Sequence, residues 1–313
     1  MKKPLVSVIV PNYNHAPFLV ERLETILSQK YPELELIILD DASTDGSHEI
    51  LESYSDRDRV AQIVFNTVNS GSAFAQWRKG IEKARGEYIW IAESDDSCDS
   101  SFLDTMIRDI TRKKGTVMAF CRSMCIDEKN RELGVHPNQE HLEDRFRMKG
   151  EKFIKKWLGV KNTVVNASSV VFRKDAALNV SDDYSSYKGG GDWLFWIEIA
   201  RQGYVAFNPK ALNRFRQHEG NTTQRMQRDG TGILECMKVY NYLRDKGYLG
   251  KVRFFRIRVD NVFRVKYQME FPGMESDLKE VRRAARQQQK DLLTALDNNF
   301  WTSLFASLKR RRK

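Results

Sequence analysis

Cysteine is scarce in this chain, with four residues (Cys98, Cys121, Cys125 and Cys236) among 313. That is too few for a disulfide framework at this length. Cys121 and Cys125 are spaced like half of a metal site, but no second Cys/His pair follows at finger spacing. The pair reads as small apolar residues beside a buried strand. Long apolar runs are missing as well: nothing approaches the ~18–20 residues of a transmembrane helix. The first apolar run, Leu5–Val10, is too brief for the core of a signal peptide plus a cleavage site and reads as a strand. A cytoplasmic location is therefore the expectation. No Gly-x-Gly-x-x-Gly follows that run; Pro11-Asn-Tyr-Asn14 stands there instead, which speaks against a dinucleotide-dependent oxidoreductase. Internal repeats and low-complexity tracts are absent too.

Positive charge is present but unevenly placed. The net charge is +10, and residues 251–313 hold 16 Lys/Arg against 7 Asp/Glu, a net of +9 that leaves about +1 for the other 250. No nucleic-acid partner is expected, because no recognised module or interleaved aromatic platform accompanies the cations. Trp301, Leu304, Phe305 and Leu308 recur at helical spacing just before Lys309-Arg-Arg-Arg-Lys313. Two readings stand for this tail. One is a helix lying on the inner face of an anionic cytoplasmic membrane; the other is a helix packed on the rest of the chain with its cations in water.

The first hundred residues alternate short apolar runs with helical patterns. Leu5–Val10, Leu34–Leu39, Val60–Phe65 and Tyr88–Ala92 read as strands, with helices over Phe18–Ser28, His48–Tyr54 and Ala73–Ala84 between them. This rhythm predicts an α/β fold with a mostly parallel, Rossmann-like central sheet flanked by helices. Further on, Val117–Cys121 and Ala167–Phe172 read as strands, and Gly150–Leu158 and Trp193–Gln202 as helices. Beyond His218 the pattern turns helical, with candidates at Glu235–Lys246 and Ser276–Leu296. Two domains are expected, an α/β domain over 1–225 and a basic helical C-terminal extension over 226–313.

Polar clusters close the predicted strands, where a parallel sheet places its ligands. Asp40-Asp41-Ala-Ser-Thr-Asp-Gly-Ser47 follows the second strand. Adjacent carboxylates repel and resist burial unless paired, so a base or ribose that donates hydrogen bonds would give them a purpose. Turn and cap chemistry also favours these residue types and accounts in part for Ser43–Ser47. Glu93-Ser-Asp-Asp96 closes the fourth strand. Three acids in four residues suit a divalent cation bridging to phosphates; taken alone they would read as a solvated turn. Gly189-Gly-Gly-Asp192 opens a helical segment, where glycine permits close backbone approach and an acid at a helix start is ordinary capping. His218, in Arg214-Phe-Arg-Gln-His218, is a lone histidine of the kind that is more often structural than a ligand.

Taken together and in this order, these segments carry a resemblance. Pro4-Leu-Val-Ser-Val-Ile-Val-Pro-Asn-Tyr-Asn14 followed by Leu39-Asp-Asp-Ala-Ser-Thr-Asp-Gly46 resembles the opening of family 2 inverting glycosyltransferases of the bacterial surface-polysaccharide type, with the GT-A fold. Asn69-Ser-Gly71 and Lys83-Ala-Arg-Gly-Glu-Tyr-Ile-Trp-Ile-Ala-Glu-Ser-Asp-Asp96 extend the likeness, which covers about residues 4–225.

The resemblance implies that Pro11 and Tyr13 line a nucleoside pocket and that Asp41 accepts a hydrogen bond from the base. Asn69 and Arg78, or Lys79 in its place, would join the nucleotide contacts, and Asp95 would approach the ribose or metal. Asp96 would ligate a divalent cation, Mn²⁺ or Mg²⁺, aided by His218. Asp192 would be the general base; the glutamate usual before it is replaced by Gly191. The family's Ala-Arg-Asn-x-Gly helix start is altered here to Ala75-Gln-Trp-Arg-Lys-Gly80, one residue longer. The implied reaction is a single inverting displacement from a nucleotide-sugar donor, a UDP-sugar, to a hydroxyl of a glycan or lipid-linked acceptor. A catalytically inactive nucleotide-sugar or glycan-binding protein of the same fold is the alternative.

Overall fold

The computed structural model describes residues 3–218, 220, 226 and 231–257. The chain divides into two units, Met1–Glu219 and Gly220–Lys313. The first unit holds one ten-stranded sheet. Its N-terminal part is β1 (Val6–Asn12), α1 (Ala16–Leu27), β2 (Leu34–Asp40), α2 (Ser47–Glu52), β3 (Val60–Phe65), α3 (Ala73–Lys83) and β4 (Tyr88–Ile91). β1 and β2 are buried at every position, which is why they read as unbroken apolar runs rather than alternating ones.

The remaining elements of this unit are β5 (Ser97–Cys98), α4 (Phe102–Thr111), β6 (Thr116–Ile126), β7 (Glu132–Val135), β8 (Phe146–Lys149), α5 (Gly150–Phe153), β9 (Val170–Arg173), α6 (Lys174–Leu178), α7 (Gly191–Ala200) and β10 (Tyr204–Arg216). The strand order is β3-β2-β1-β4-β9-β6-β10-β5, with β7 on β6 and β8 on β10. β1 to β4 pair in parallel; β9 then runs antiparallel to both β4 and β6. The chain builds outward from β1 to β3 and then returns to lay β4 on the opposite side of β1. The gap between β1 and β4 at their carboxyl ends is thus a topological switch point, where open α/β sheets take ligands.

α3 lies close on β1 because Gly80 faces Ile9: a Cβ there would sit 2.4 Å from the Ile9 side chain. The main core packs Trp90 with Phe102, Leu23, Ile26, Met106 and the inward faces of β1 and β2. α4 and the 13-residue β10 were not anticipated. β10 pairs with β6 in parallel, with register shifts near Asn208 and Ala211, and such irregularity hides a strand from a period-two pattern. In the second unit a helix, α8, spans Thr231–Asp245. The expected helix Ser276–Leu296 and the basic stripe from Trp301 lie outside the described residues. No described helix is long and apolar enough to cross a membrane.

Glu35 ties the amino-terminal edge of the sheet together. Its carboxylate accepts hydrogen bonds from Ser7 Oγ (2.6 Å), Arg85 N (2.8 Å) and Arg85 Nε (2.7 Å). Burial opposes its charge, but these bonds outweigh burial and hold the carboxyl below its ordinary 4.5. A group with a depressed folded pKa stabilises above its unfolded pKa and loses that contribution as pH falls through the folded value. Glu35→Gln is therefore expected to cost about 1.5–3 kcal/mol at pH 7, with the gap closing in acid. Urea unfolding at pH 7 and below pH 4.5 checks this; an equal gap at both would contradict it.

Candidate active site

β1 and β2 end in a latch. Asn12 Nδ2 donates to Asp40 Oδ1 (2.7 Å), Ser43 Oγ to the same oxygen (2.6 Å), and Asn14 Oδ1 accepts from Thr44 N (2.8 Å). Asp45 accepts from Ala16 N at the start of α1 (2.8 Å) and from Ser47 N (3.1 Å). Asp40 to Ser47 thus perform the turn and cap work their residue types favour, with Asp41 the exception. Pro11 is buried on β1, whereas Tyr13, just past the strand, is 46% exposed.

Asp41 is buried at the end of β2 and accepts from Asn66 Nδ2 (2.7 Å), Gln76 Nε2 (2.8 Å), Ser70 Oγ (2.7 Å) and Ser70 N (2.9 Å). A carboxylate has about four lone-pair sites, so a further donor enters only by displacing one of these. Asn69 lies beside this network, its Oδ1 accepting from Gly71 N in a local turn. Lys79 Nζ donates to Asn66 Oδ1. Arg78 instead pairs with Glu82 (3.0 Å) and Asp182. The helical phase of α3 brings Gln76 and Lys79 to the Asp41 cluster and leaves Arg78 outside it.

The acidic loop after β4 separates its carboxylates by environment. Asp96 is fully buried and accepts from Asn166 Nδ2 (2.9 Å), Ser168 Oγ (2.6 Å) and Arg216 N (3.0 Å). Burial and the neighbouring Asp95 charge push its carboxyl up. Glu93, held by Trp77 Nε1 at 2.9 Å, is pushed up to about 8 by burial and then by Asp95 and Asp96. Asp95 goes the other way. Burial opposes its ionisation, but the His218 hydrogen bond and the charges of His15 and His218 prevail and lower it.

Arg22, fully buried on α1 with its guanidinium 4.9 Å over the Trp90 ring, favours ionisation of both Glu93 and Asp96. Arg216 is a strut. Its guanidinium donates to Asp95 O (2.7 Å), Asp127 O (3.0 Å) and Glu21 Oε2 (2.9 Å).

His218 Nε2 lies 3.0 Å from Asp95 Oδ2. His15, between β1 and α1, has its ring 5.5 Å from that of His218, and its Nδ1 is 2.8 Å from Ser94 Oγ. One ligand atom from each of His15, Asp95 and His218 lies within 4.8 Å of the others. The three come from the two sides of the switch point and from the end of β10. His15 was missed in the sequence, where a single histidine after Pro-Asn-Tyr-Asn carries no spacing signal.

Asp192 sits in the first turn of α7. Its Oδ2 accepts from Asn162 Nδ2 (2.9 Å) and its Oδ1 from Trp193 N (2.6 Å). A Cβ on Gly191 would lie 2.4 Å from Tyr184 O and 2.7 Å from the Phe74 ring, so the position before Asp192 has no room for a glutamate. Two supports link the distant acids. α3 reaches Asp41 through Gln76, Glu93 through Trp77 and Gly191 through Phe74. The segment 162–166 holds Asp192 at one end and Asp96 at the other.

Known proteins resemble this chain in sequence and in fold. TuaG of Bacillus subtilis (strain 168), named for teichuronic acid biosynthesis, is 26% identical over 207 residues, covering 66% of this chain and 75% of its own. The glycosyltransferase GlyG of Streptococcus pneumoniae is 38% identical over 114 residues, 36% of this chain and 38% of its own. Among solved structures, TarS 1–349 of S. aureus in complex with UDP-GlcNAc superposes with a TM-score of 0.57 at 18% identity, covering 92% of this chain and 71% of that one. Its complex with UDP gives 0.58 at 17% identity, covering 96% and 92%. At such identities the likeness shows the fold, which is GT-A. The sequence model described as "Glycosyl transferase family 2" matches residues 7–180, more than half of the chain, and the protein therefore belongs to glycosyl transferase family 2.

Proposed function

We propose that the protein is an inverting glycosyltransferase that moves a sugar from a UDP-sugar to a hydroxyl of a glycan or lipid-linked acceptor in cell-surface polysaccharide synthesis. The observation that carries this reading is the His15–Asp95–His218 cluster at the switch point, with ligand atoms within 4.8 Å of one another. One carboxylate and two imidazoles fit a divalent cation. Of the two ions expected, imidazole suits Mn²⁺ better than Mg²⁺, which prefers oxygen and water. Asp95 is the proposed carboxylate ligand, with Asp96 supporting the loop from beneath. When bound, such an ion offsets the negative charge of a departing diphosphate.

Tyr13 is proposed to stack on the base, and Asp41 to accept its N–H once Ser70 gives way. Asp192 acts as general base, taking the proton of the acceptor hydroxyl as that oxygen attacks C1 of the sugar. The C1–O bond to the diphosphate breaks, and the UDP leaves with the bonding electron pair. Attack opposite the leaving group inverts the anomeric centre. The names of TuaG and of the UDP-bound TarS structures support a UDP-sugar and a surface polymer.

The test is a panel of UDP-, GDP- and dTDP-sugars incubated with purified protein and Mn²⁺, following nucleotide release. UDP-sugars should be consumed at least tenfold faster than the others. A protein that binds UDP but turns over no member of the panel is a binding protein, and the enzymatic reading fails.

A further inference from the structure

We propose that Asn162 is a positioning residue for the reaction: it sets the rotation and placement of the Asp192 carboxylate. The inference rests on the reading of Asp192 as general base. Asp192 is gripped from two directions, by Trp193 N on its own helix (2.6 Å to Oδ1) and by Asn162 Nδ2 from a separate segment (2.9 Å to Oδ2). The first contact is local and travels with α7. The second ties the carboxylate to a segment 30 residues away in the chain.

Asn162 is suited to that task because its own backbone is clamped. Asn138 Nδ2 donates to Asn162 O (2.9 Å), and Lys161 Nζ to Pro137 O (3.4 Å). The next residue, Thr163, has its carbonyl held by Gln139 Nε2 (3.1 Å), and Gln139 Oε1 accepts from Ser123 N on β6 (2.8 Å). Gln139 is fully buried. The run ends at Asn166, whose Nδ2 donates to Asp96 (2.9 Å) and whose Oδ1 accepts from Asn213 Nδ2 (3.0 Å).

One five-residue segment, anchored to β6 and β10, therefore holds the base at one end and the loop bearing Asp95 at the other. Four peptide links span at most about 14 Å, so the segment acts as a ruler between the two. An amide suits this place chemically: it donates to the carboxylate and has no proton equilibrium of its own near neutrality. Displacing a reacting group by about 1 Å can cost about 10²-fold in rate, so a lost tether should appear in turnover rather than in donor binding.

The experiment compares Asn162→Ala, the isosteric Asn162→Asp, Asp192→Asn and the double variant Asn162→Ala/Asp192→Asn in the full chain. Release of UDP from UDP-GlcNAc, UDP-glucose and UDP-galactose is followed with Mn²⁺, using whichever turns over fastest, and UDP affinity is measured by calorimetry. Asn162→Ala should lower kcat about 10–100-fold, with donor KM and UDP affinity within about twofold. Asn162→Asp, which fills the same volume but removes the donor, should lose at least as much. In the Asp192→Asn background Asn162→Ala should change kcat less than about twofold, because two residues acting as a unit are not additive.

Unchanged kcat in Asn162→Ala and Asn162→Asp, with Asp192→Asn inactive, overturns the role of Asn162 alone. An equal further loss in the Asp192→Asn background shows a merely structural residue and also overturns it. Native turnover in Asp192→Asn, or no turnover of any of the three donors by the native protein, overturns the underlying reading and the inference with it.

Discussion

Asparagine in place of Asp192 is expected to lower kcat by about 10²–10⁴-fold, the usual contribution of a positioned general base, while UDP still binds. The substitution preserves volume, and the amide oxygen keeps the hydrogen bond from Asn162 Nδ2 or that from Trp193 N, though not both. The start of α7 is closely packed, since Gly191 touches Tyr184 O and Phe74 so tightly that no Cβ fits. An isosteric change therefore leaves the local backbone in place, and the loss reports chemistry rather than collapse. Nucleotide release against UDP-sugar concentration gives kcat and KM separately, and calorimetry with UDP gives the binding control. Retention of more than about a tenth of native turnover would remove Asp192 from the mechanism.

The second large effect concerns the cation. Chelation with EDTA should abolish turnover, and added Mn²⁺ should restore it. Single ligand losses should weaken Mn²⁺ binding by at least about 10–100-fold, as changes even to outer-shell partners of metal sites do. That prediction applies to Asp95→Ala, His15→Ala and His218→Ala, whose ligand atoms cluster within 4.8 Å. Asp96→Asn should behave differently. Its carboxylate is fully buried and accepts from Asn166, Ser168 and Arg216 N. Exchanging it for an amide sets one donor against another and should lower the thermal unfolding midpoint more than it lowers metal affinity. Titration of Mn²⁺ by electron paramagnetic resonance, paired with thermal melts, separates the two acids. Equal loss of Mn²⁺ affinity in Asp96→Asn, without destabilisation, would return the ligand role to Asp96.

Much of the fold was legible because its signal is local. β1, β2 and β4 are short apolar runs buried on both faces, and the helices between them carry apolar residues at helical spacing. The strand-end placement of the acidic clusters followed from the same alternation. β10 was not legible, because register shifts against β6 break its period. α4 was legible and overlooked: Phe102, Leu103, Met106, Ile107 and Ile110 recur at helical spacing.

At the site, residue type was readable and direction was not. The Glu93–Asp96 motif announced a carboxylate cluster, yet nothing in four adjacent residues says which side chain turns inward. Asn166, Ser168 and Arg216, 70 to 120 positions away in the chain, supply the donors that enclose Asp96. His218 and His15 face Asp95 instead. The phase of α3 was a similar case: the altered helix start drew attention to Arg78 and Lys79 alike, and packing of Gly80 on Ile9 turns Lys79, together with Gln76, toward Asn66 and Asp41.

By itself, the order of apolar runs and acidic strand ends determined the parallel β1–β4 part of the sheet and the family resemblance, because hydrophobic periodicity and turn chemistry act over a few residues. Only the tertiary structure decided which carboxylate is enclosed, which meets two imidazoles, and which loop holds Asp192. Those outcomes depend on the cost of burying a charge without donors, and the donors arrive from strands and loops far away in the chain.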